Sequence, residues 1–142
     1  MIEEIRVVLD EGAYMPERAH DTDAGLDLRA RQMVTIPPGG SAAIDTGVHM
    51  EIPEGYFGKL ESKSGLNAKH SIVSCGGVID SGYTGSILVK LYNLGDKEYT
   101  FNPGDKIVQL ILIPCDIKSH LKLVEDLEDT DRGVNGFGST GR

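Results

Sequence analysis

The 142-residue chain carries 22 acidic against 14 basic side chains, a net charge of −8, with 39% hydrophobic and 25% charged residues. That is one domain's worth of protein, able to hide roughly 68–70% of its unfolded surface, and too apolar for a disordered chain. No apolar run approaches the ~18 residues of a membrane-spanning helix, Met1-Ile2-Glu3-Glu4 is no signal peptide, and the acid excess argues against a polynucleotide partner. A cytoplasmic protein is expected, with Cys75 and Cys115 as small buried hydrophobes rather than a disulfide or zinc pair.

In chain order, Ile5–Leu9 and Met33–Ile36 read as strands, the second closed by Pro37-Pro38-Gly39-Gly40. Val48–Ile52 and Tyr56–Leu60 flank the turn Pro53-Glu54-Gly55, and Ser64–His70 is the one plausible helix. Gly77–Gly85 has the turn chemistry of a hairpin around Asp80-Ser81-Gly82. In Ile87–Tyr92 the apolar residues Ile87, Val89 and Leu91 alternate with Leu88, Lys90 and Tyr92, the period of a half-buried strand. Pro103-Gly104-Asp105 then leads into the apolar strand Ile107–Ile113, which Pro114 ends. Short strands at this spacing predict an all-β sandwich, barrel or jelly roll over residues 1–124. The acidic run Glu125–Asp131 opens a separate segment, 125–142, ending in the glycine-rich Arg132–Arg142. It reads either as a frayed terminus or as an arm whose glycines, hydroxyls, arginines and Phe137 close on an anionic ligand.

Four places carry residues suited to chemistry, each with an ordinary reading beside it. Asp27, between Leu26 and Leu28, is a solvent-facing strand carboxylate or an oxygen ligand for Mg²⁺ through water. Lys63-Ser64-Gly65 is a serine-capped helix start with an exposed lysine, or a cation, hydroxyl and free N–H groups aimed at phosphate. Asp80 shapes a turn or poises a water as general base. Beside it the Gly77-Val78-Ile79 backbone could read a pyrimidine edge, with Tyr83 as a flat wall for a sugar. Gln109, on the strand face of Ile107 and Ile111, is a structural amide or a ligand for phosphate or water. The histidines have no metal-ligand spacing.

Together these segments resemble, in order and spacing, the five motifs of the trimeric deoxyuridine triphosphatase (dUTPase) family. They run from Ala24-Gly25-Leu26-Asp27-Leu28 through Lys63-Ser64-Gly65-Leu66 and Gly77–Gly85 to Pro103–Leu110 and Arg132–Gly141. The resemblance implies a distorted jelly-roll-like β-barrel and a homotrimer, with active sites between subunits and the C-terminal arm closing over a neighbour's site. The implied reaction converts dUTP to dUMP and pyrophosphate with Mg²⁺, limiting uracil in DNA and supplying dUMP for dTMP synthesis. It assigns the attacking water to Asp80, the deoxyribose to Tyr83, uracil to the surrounding backbone, and the metal's waters to Asp27. Lys63, Ser64, Gly65 and Gln109 fall to the phosphates, as do Arg132, Gly138, Ser139 and Thr140, with Phe137 over the base.

Two departures stand out. Lys63 occupies a position usually held by arginine, exchanging a bidentate fork for a point charge. Gly82-Tyr83-Thr84-Gly85 lacks the acid and the arginine of the usual Asp-Tyr-Arg-Gly. A rival is the related dCTP deaminase branch, whose catalytic glutamate position falls here on Lys90, which cannot shuttle that proton. A second rival is a regulatory protein on the same fold.

Overall fold

The structure, a computed structural model, describes residues 2–138, 140 and 141. Among these, eleven strands and one helix follow one another as β1 (Val7–Leu9), β2 (Gly25–Arg29), β3 (Val34–Ile36), β4 (Ser41–Asp45), β5 (Val48–Met50), β6 (Tyr56–Glu61), α1 (Ser64–His70), β7 (Ile72–Ser74), β8 (Val78–Ile79), β9 (Leu88–Asn93), β10 (Tyr99–Phe101) and β11 (Lys106–Pro114). All pairings are antiparallel, in the orders β2-β11-β6-β8, β4-β9-β7, β1-β5 and β10-β3. The sheets enclose one apolar core, with Leu28, Ile36, Ile87, Val89, Phe101, Val108 and Leu110 inaccessible to solvent. The fold is all-β and jelly-roll-like, with one short helix. No helix among the described residues is long and apolar enough to cross a membrane.

The alternation expected around Ile87–Tyr92 holds: Ile87, Val89 and Leu91 are buried while Leu88 and Lys90 face out. Strands β4, β7 and β10 escape sequence reading. They are only three to five residues long, and the sheet, more than their own apolar pattern, specifies them. Segment 77–85 is not a self-paired hairpin. Val78 and Ile79 pair instead with Lys59 and Gly58 of β6, and the chain then turns and crosses to β9 in another sheet.

Strand β11 contains the irregularity that builds the site. Its register against β2 shifts by one residue, Lys106 facing Arg29 while Val108 faces Leu28 and Gln109 faces Asp27. Such a bulge turns the strand about its axis. Ile107 joins Val108 in the core, off the face of Gln109 where strict alternation places it, and Lys106 swings onto the Asp27 side. The cysteines also differ from expectation, Cys75 being exposed and Cys115 half-buried, both free.

Candidate active site

Asp27 is not solvent-facing: only 3% of its surface is accessible. Its backbone N–H donates to the carbonyl of Glu17, which lays the chain before β2 across it. A buried carboxylate needs partners, and Asp27 has two. Lys63 Nζ donates to one oxygen at 2.5 Å and Lys106 Nζ sits 2.8 Å from the other. Burial pushes the Asp27 carboxyl up, but the hydrogen bonds and charges of Lys106 and Lys63 outweigh it and hold it below the usual carboxylate range. The cluster itself, two cations against one anion, carries a net positive charge in an acidic chain, while Glu61 and Glu17 beside it are paired with Lys59 and Arg29. Gln109 lies beside it, its amide Nε2 donating to the Ser62 carbonyl at 3.2 Å. Gly25 makes room for that amide, since a Cβ there would overlap Gln109 Oε1.

Lys63, at the mouth of this cluster, is itself the N-cap of α1; Ser64, expected as the cap, is the first helical residue, and no side chain caps the helix. The 64–66 N–H groups are therefore left without helical partners, with no acidic residue in the first turn. Gly65 has open space around its α-carbon.

The loop after β8 holds the second group of residues. Gly77 accepts from the Leu60 N–H at 2.9 Å with φ +102°, and a Cβ there would stand 2.8 Å from Leu60 Cβ, so glycine is required. Val78 is exposed, while Ile79 is buried and anchors the strand. A turn from Asp80 to Tyr83, closed by Tyr83 N–H to Asp80 O at 3.1 Å, leaves the Asp80 side chain in solvent. Tyr83 folds back over Gly85, where a Cβ would meet its hydroxyl at 2.5 Å, and donates to Ser86 O at 2.7 Å. One face of the ring is thus fixed against the loop and 41% of the residue stays accessible.

Beyond Cys115 every hydrogen bond among the described residues is local. Arg132 Nε donates to Asn135 O at 3.0 Å, and Gly133 N–H to Thr130. Gly138 takes φ +76°, Phe137 is fully exposed, and Thr140 lies with Arg132, Gly136, Phe137 and Gly138 around a small surface hollow. Ser139 lies outside the described residues.

The single chain therefore brings together Asp27, Lys63 and Gln109, with Ser64 and Gly65 adjoining. Among the described residues no hydrogen bond or ion pair joins this cluster to Asp80 or Tyr83, or either to the arm. Sequence reasoning missed Lys106, because period-2 alternation assigns it to the face of Val108 and Leu110, and only the bulge brings it round.

As for a metal, no group of three or more His, Cys, Asp or Glu side chains converges among the described residues. What the chain offers is one buried carboxylate, Asp27, and both of its oxygens already accept from lysine ammonium groups. That carboxylate by itself thus holds no open oxygen donor for Mg²⁺; an ion there would have to arrive with the phosphates and meet Asp27 through water as a lysine gives way.

Residues 11–141 match the sequence model of the dUTPase family. The chain is 45% identical to the deoxyuridine 5'-triphosphate nucleotidohydrolase of Anaeromyxobacter sp. over 90% of its length and 88% of that protein. It is 40% identical to the enzyme of the same name from Crocosphaera subtropica, over 97% and 99%. Among solved structures, the Staphylococcus bacteriophage 80alpha dUTPase bound to dUpNHpp superposes with a TM-score of 0.93 at 34% identity, covering 99% of this chain and 100% of that one. The dUTPase of phage phi11 of S. aureus, described with a structural Mg(II) ion, gives 0.83 at 34% identity over 89% and 99%. On sequence and fold alike, the chain belongs to the dUTPase family.

Proposed function

We propose that the chain hydrolyses dUTP to dUMP and pyrophosphate, in a site assembled from three copies of itself. The observation that carries this reading is the loop at 77–86. It presents a solvent-open carboxylate, Asp80, beside a fixed aromatic face, Tyr83, on a backbone held at both ends. Asp80 takes a proton from water as its oxygen bonds to the α-phosphorus, and the bond to the bridging oxygen breaks, leaving with pyrophosphate. The Gly77-Val78-Ile79 backbone borders the uracil, and Tyr83 packs on the deoxyribose, where a 2′-hydroxyl would collide. Lys63, Ser64, Gly65 and Gln109 meet the phosphates. Asp27 would be the residue to meet the waters of a Mg²⁺ ion arriving with the triphosphate, and that ion would supply neutralisation of phosphate charge. In phosphoryl chemistry positioning and charge neutralisation do most of the work, which suits a site made of cations, amides and one base.

The arm supports the trimer. Leu121, Leu123, Val134 and Phe137 are fully exposed and touch nothing that would keep them from water. A neighbouring copy would cover them, delivering Arg132, Gly138, Ser139 and Thr140 to phosphate and Phe137 to the base. The test is pyrophosphate release from dUTP, dCTP, dTTP and UTP, with Mg²⁺ and with chelator. Turnover confined to dUTP and dependent on Mg²⁺ is expected. Ammonia release from dCTP would convert the reading to a deaminase, and comparable turnover of UTP would remove Tyr83 as the sugar wall.

A further inference from the structure

The exit of the 77–86 loop is fastened to the barrel by an arrangement that the reaction does not require. His49, on β5, has both ring nitrogens engaged: Nδ1 lies 2.8 Å from the Thr84 carbonyl oxygen and Nε2 lies 3.1 Å from Asp10 Oδ1. Both partners are acceptors, because a carbonyl and an ionised carboxylate have no hydrogen to give. A neutral imidazole has one N–H; the ionised Asp10 carboxylate is the stronger acceptor and takes it, which turns the Nδ1 lone pair on the Thr84 carbonyl and loses that bond. Only the imidazolium satisfies both. Thr84 follows Tyr83 directly and stands at the position of the motif's usual arginine.

The next residues along the loop are held independently. Asp45 Oδ1 accepts from the Ser86 hydroxyl and, at 2.9 Å, from the Gly47 N–H, while its other oxygen pairs with Arg31 at 2.9 Å. Ile87 is locked into the β4–β5 connection through Thr46 and Val48. Thr84 is thus the outermost anchored point on the exit side, and His49 is its anchor.

We propose that His49, braced by Asp10, is a positioning residue for the substrate loop, holding the Thr84 carbonyl and thereby setting where Tyr83 and Asp80 stand. The inference rests on the dUTP reading of that loop. The charged groups around the ring agree with it. Asp10 and Asp45 favour the cation, Arg31 stands 3.9 Å from Asp10 on the far side, and the Arg6–Glu51 pair lines the adjoining cavity. The bond to Thr84 and the pairing with Asp10 outweigh desolvation and raise the histidine's pKa. Because the folded value is raised, the latch is fully closed below the ordinary value of about 6.5 and opens as pH rises through the folded one.

The experiment measures kcat and KM for dUTP from about pH 5.5 to about 8.5, across the ordinary histidine range, in the natural chain, H49F, H49Q and D10N. In the natural chain KM is expected to rise about tenfold, the equivalent of ~1.4 kcal/mol, as His49 loses its proton. H49F should show the high KM throughout, with kcat changed by less than about twofold, because bound substrate holds the loop once loaded. H49Q keeps one N–H for the Thr84 carbonyl without a titrating charge, so its KM should stay low and flat, and D10N should move the inflection to lower pH. An H49F enzyme with the natural KM at low pH, or with the inflection intact, overturns the proposal. If no form hydrolyses dUTP, the proposed function falls but the latch is still decided. The ¹⁵N titration of the His49 ring and exchange of the 82–85 amides read it directly, and exchange unchanged in H49F would overturn it.

Discussion

In the proposed reaction the barrel end around Asp27 and the segment beyond Cys115 meet the same triphosphate, yet their physical states are opposite. At Asp27 a buried carboxylate, two lysines and an amide are fixed by the β2-β11-β6 sheet, with both carboxylate oxygens paired inside one chain. Beyond Cys115 the groups are exposed and bonded only to near neighbours. The first region is organised before substrate arrives. The second gains nothing from its own barrel and needs a ligand or a neighbour to give it a shape. A site drawn from both would be open when empty and closed when loaded, with ordering of the arm offsetting part of the binding energy.

The largest effects expected break the partnership between regions. Asp80→Asn should lower turnover by about 10²–10⁴-fold with dUpNHpp binding retained, the range for losing a general base. Removal of residues 132–142 should reduce turnover by roughly 10–100-fold, as expected where closure excludes water, without moving the melting temperature. Co-refolding a mixture of the two impaired proteins sharpens the comparison. If loop and arm reach one site from different subunits, hybrid trimers regain part of the activity, because some sites combine an intact arm with an intact loop. A mixture no more active than the sum of its two components would place both in one chain.

The same division explains what could be read from the sequence. Strand β9 and helix α1 were legible because each carries its own signal: strict alternation in one case, a short stretch after a turn in the other. The residues of the site were legible as types, since a carboxylate, a serine beside a lysine and an amide within an apolar strand each ask for an explanation. Their environments were not. For Asp27 the sequence leaves a solvent-facing carboxylate and a metal ligand both open, because a strand position opposite two leucines says nothing of the Glu17 segment that covers it or of Lys106, which a one-residue register shift delivers. The brace on Thr84 was equally hidden. His49 and Thr84 are 35 positions apart, and only the tertiary fold makes them partners.

A smaller effect tests how far the Asp27 cluster is prepared in advance. Its carboxyl is held below the usual range, so the stabilisation it supplies is complete above the ordinary value of about 3.9 and disappears as pH falls through the folded value. Asp27→Asn leaves Lys63 and Lys106 facing each other without their anion. A loss of about 1–3 kcal/mol in urea denaturation near neutral pH is expected, the usual penalty for a charged group deprived of its partner. As pH falls below the ordinary value of about 3.9 and through the lowered folded one, the natural chain should converge on the variant, because protonation removes the same charge that the substitution removes. A gap that persists undiminished into acid would mean that shape, rather than charge, makes Asp27 useful here.

The smallest effect expected belongs to Lys63. Arginine is the usual residue there, and a guanidinium would offer Asp27 or a phosphate a planar fork in place of a point charge. In this chain, however, Lys106 already occupies the second carboxylate oxygen, so a fork at position 63 cannot engage Asp27 with both arms without displacing it. Lys63→Arg should therefore change stability by less than about 0.5 kcal/mol, and kcat/KM for dUTP by no more than about threefold, within the range of a surface-accessible charge exchange. The double variant Lys63→Arg with Lys106→Met frees the second oxygen. If it recovers stability that Lys106→Met alone loses, the two cations share one carboxylate as the geometry indicates. If the substitutions add independently, each lysine acts on a separate partner, and the positive cluster at the barrel end is two isolated charges rather than one unit.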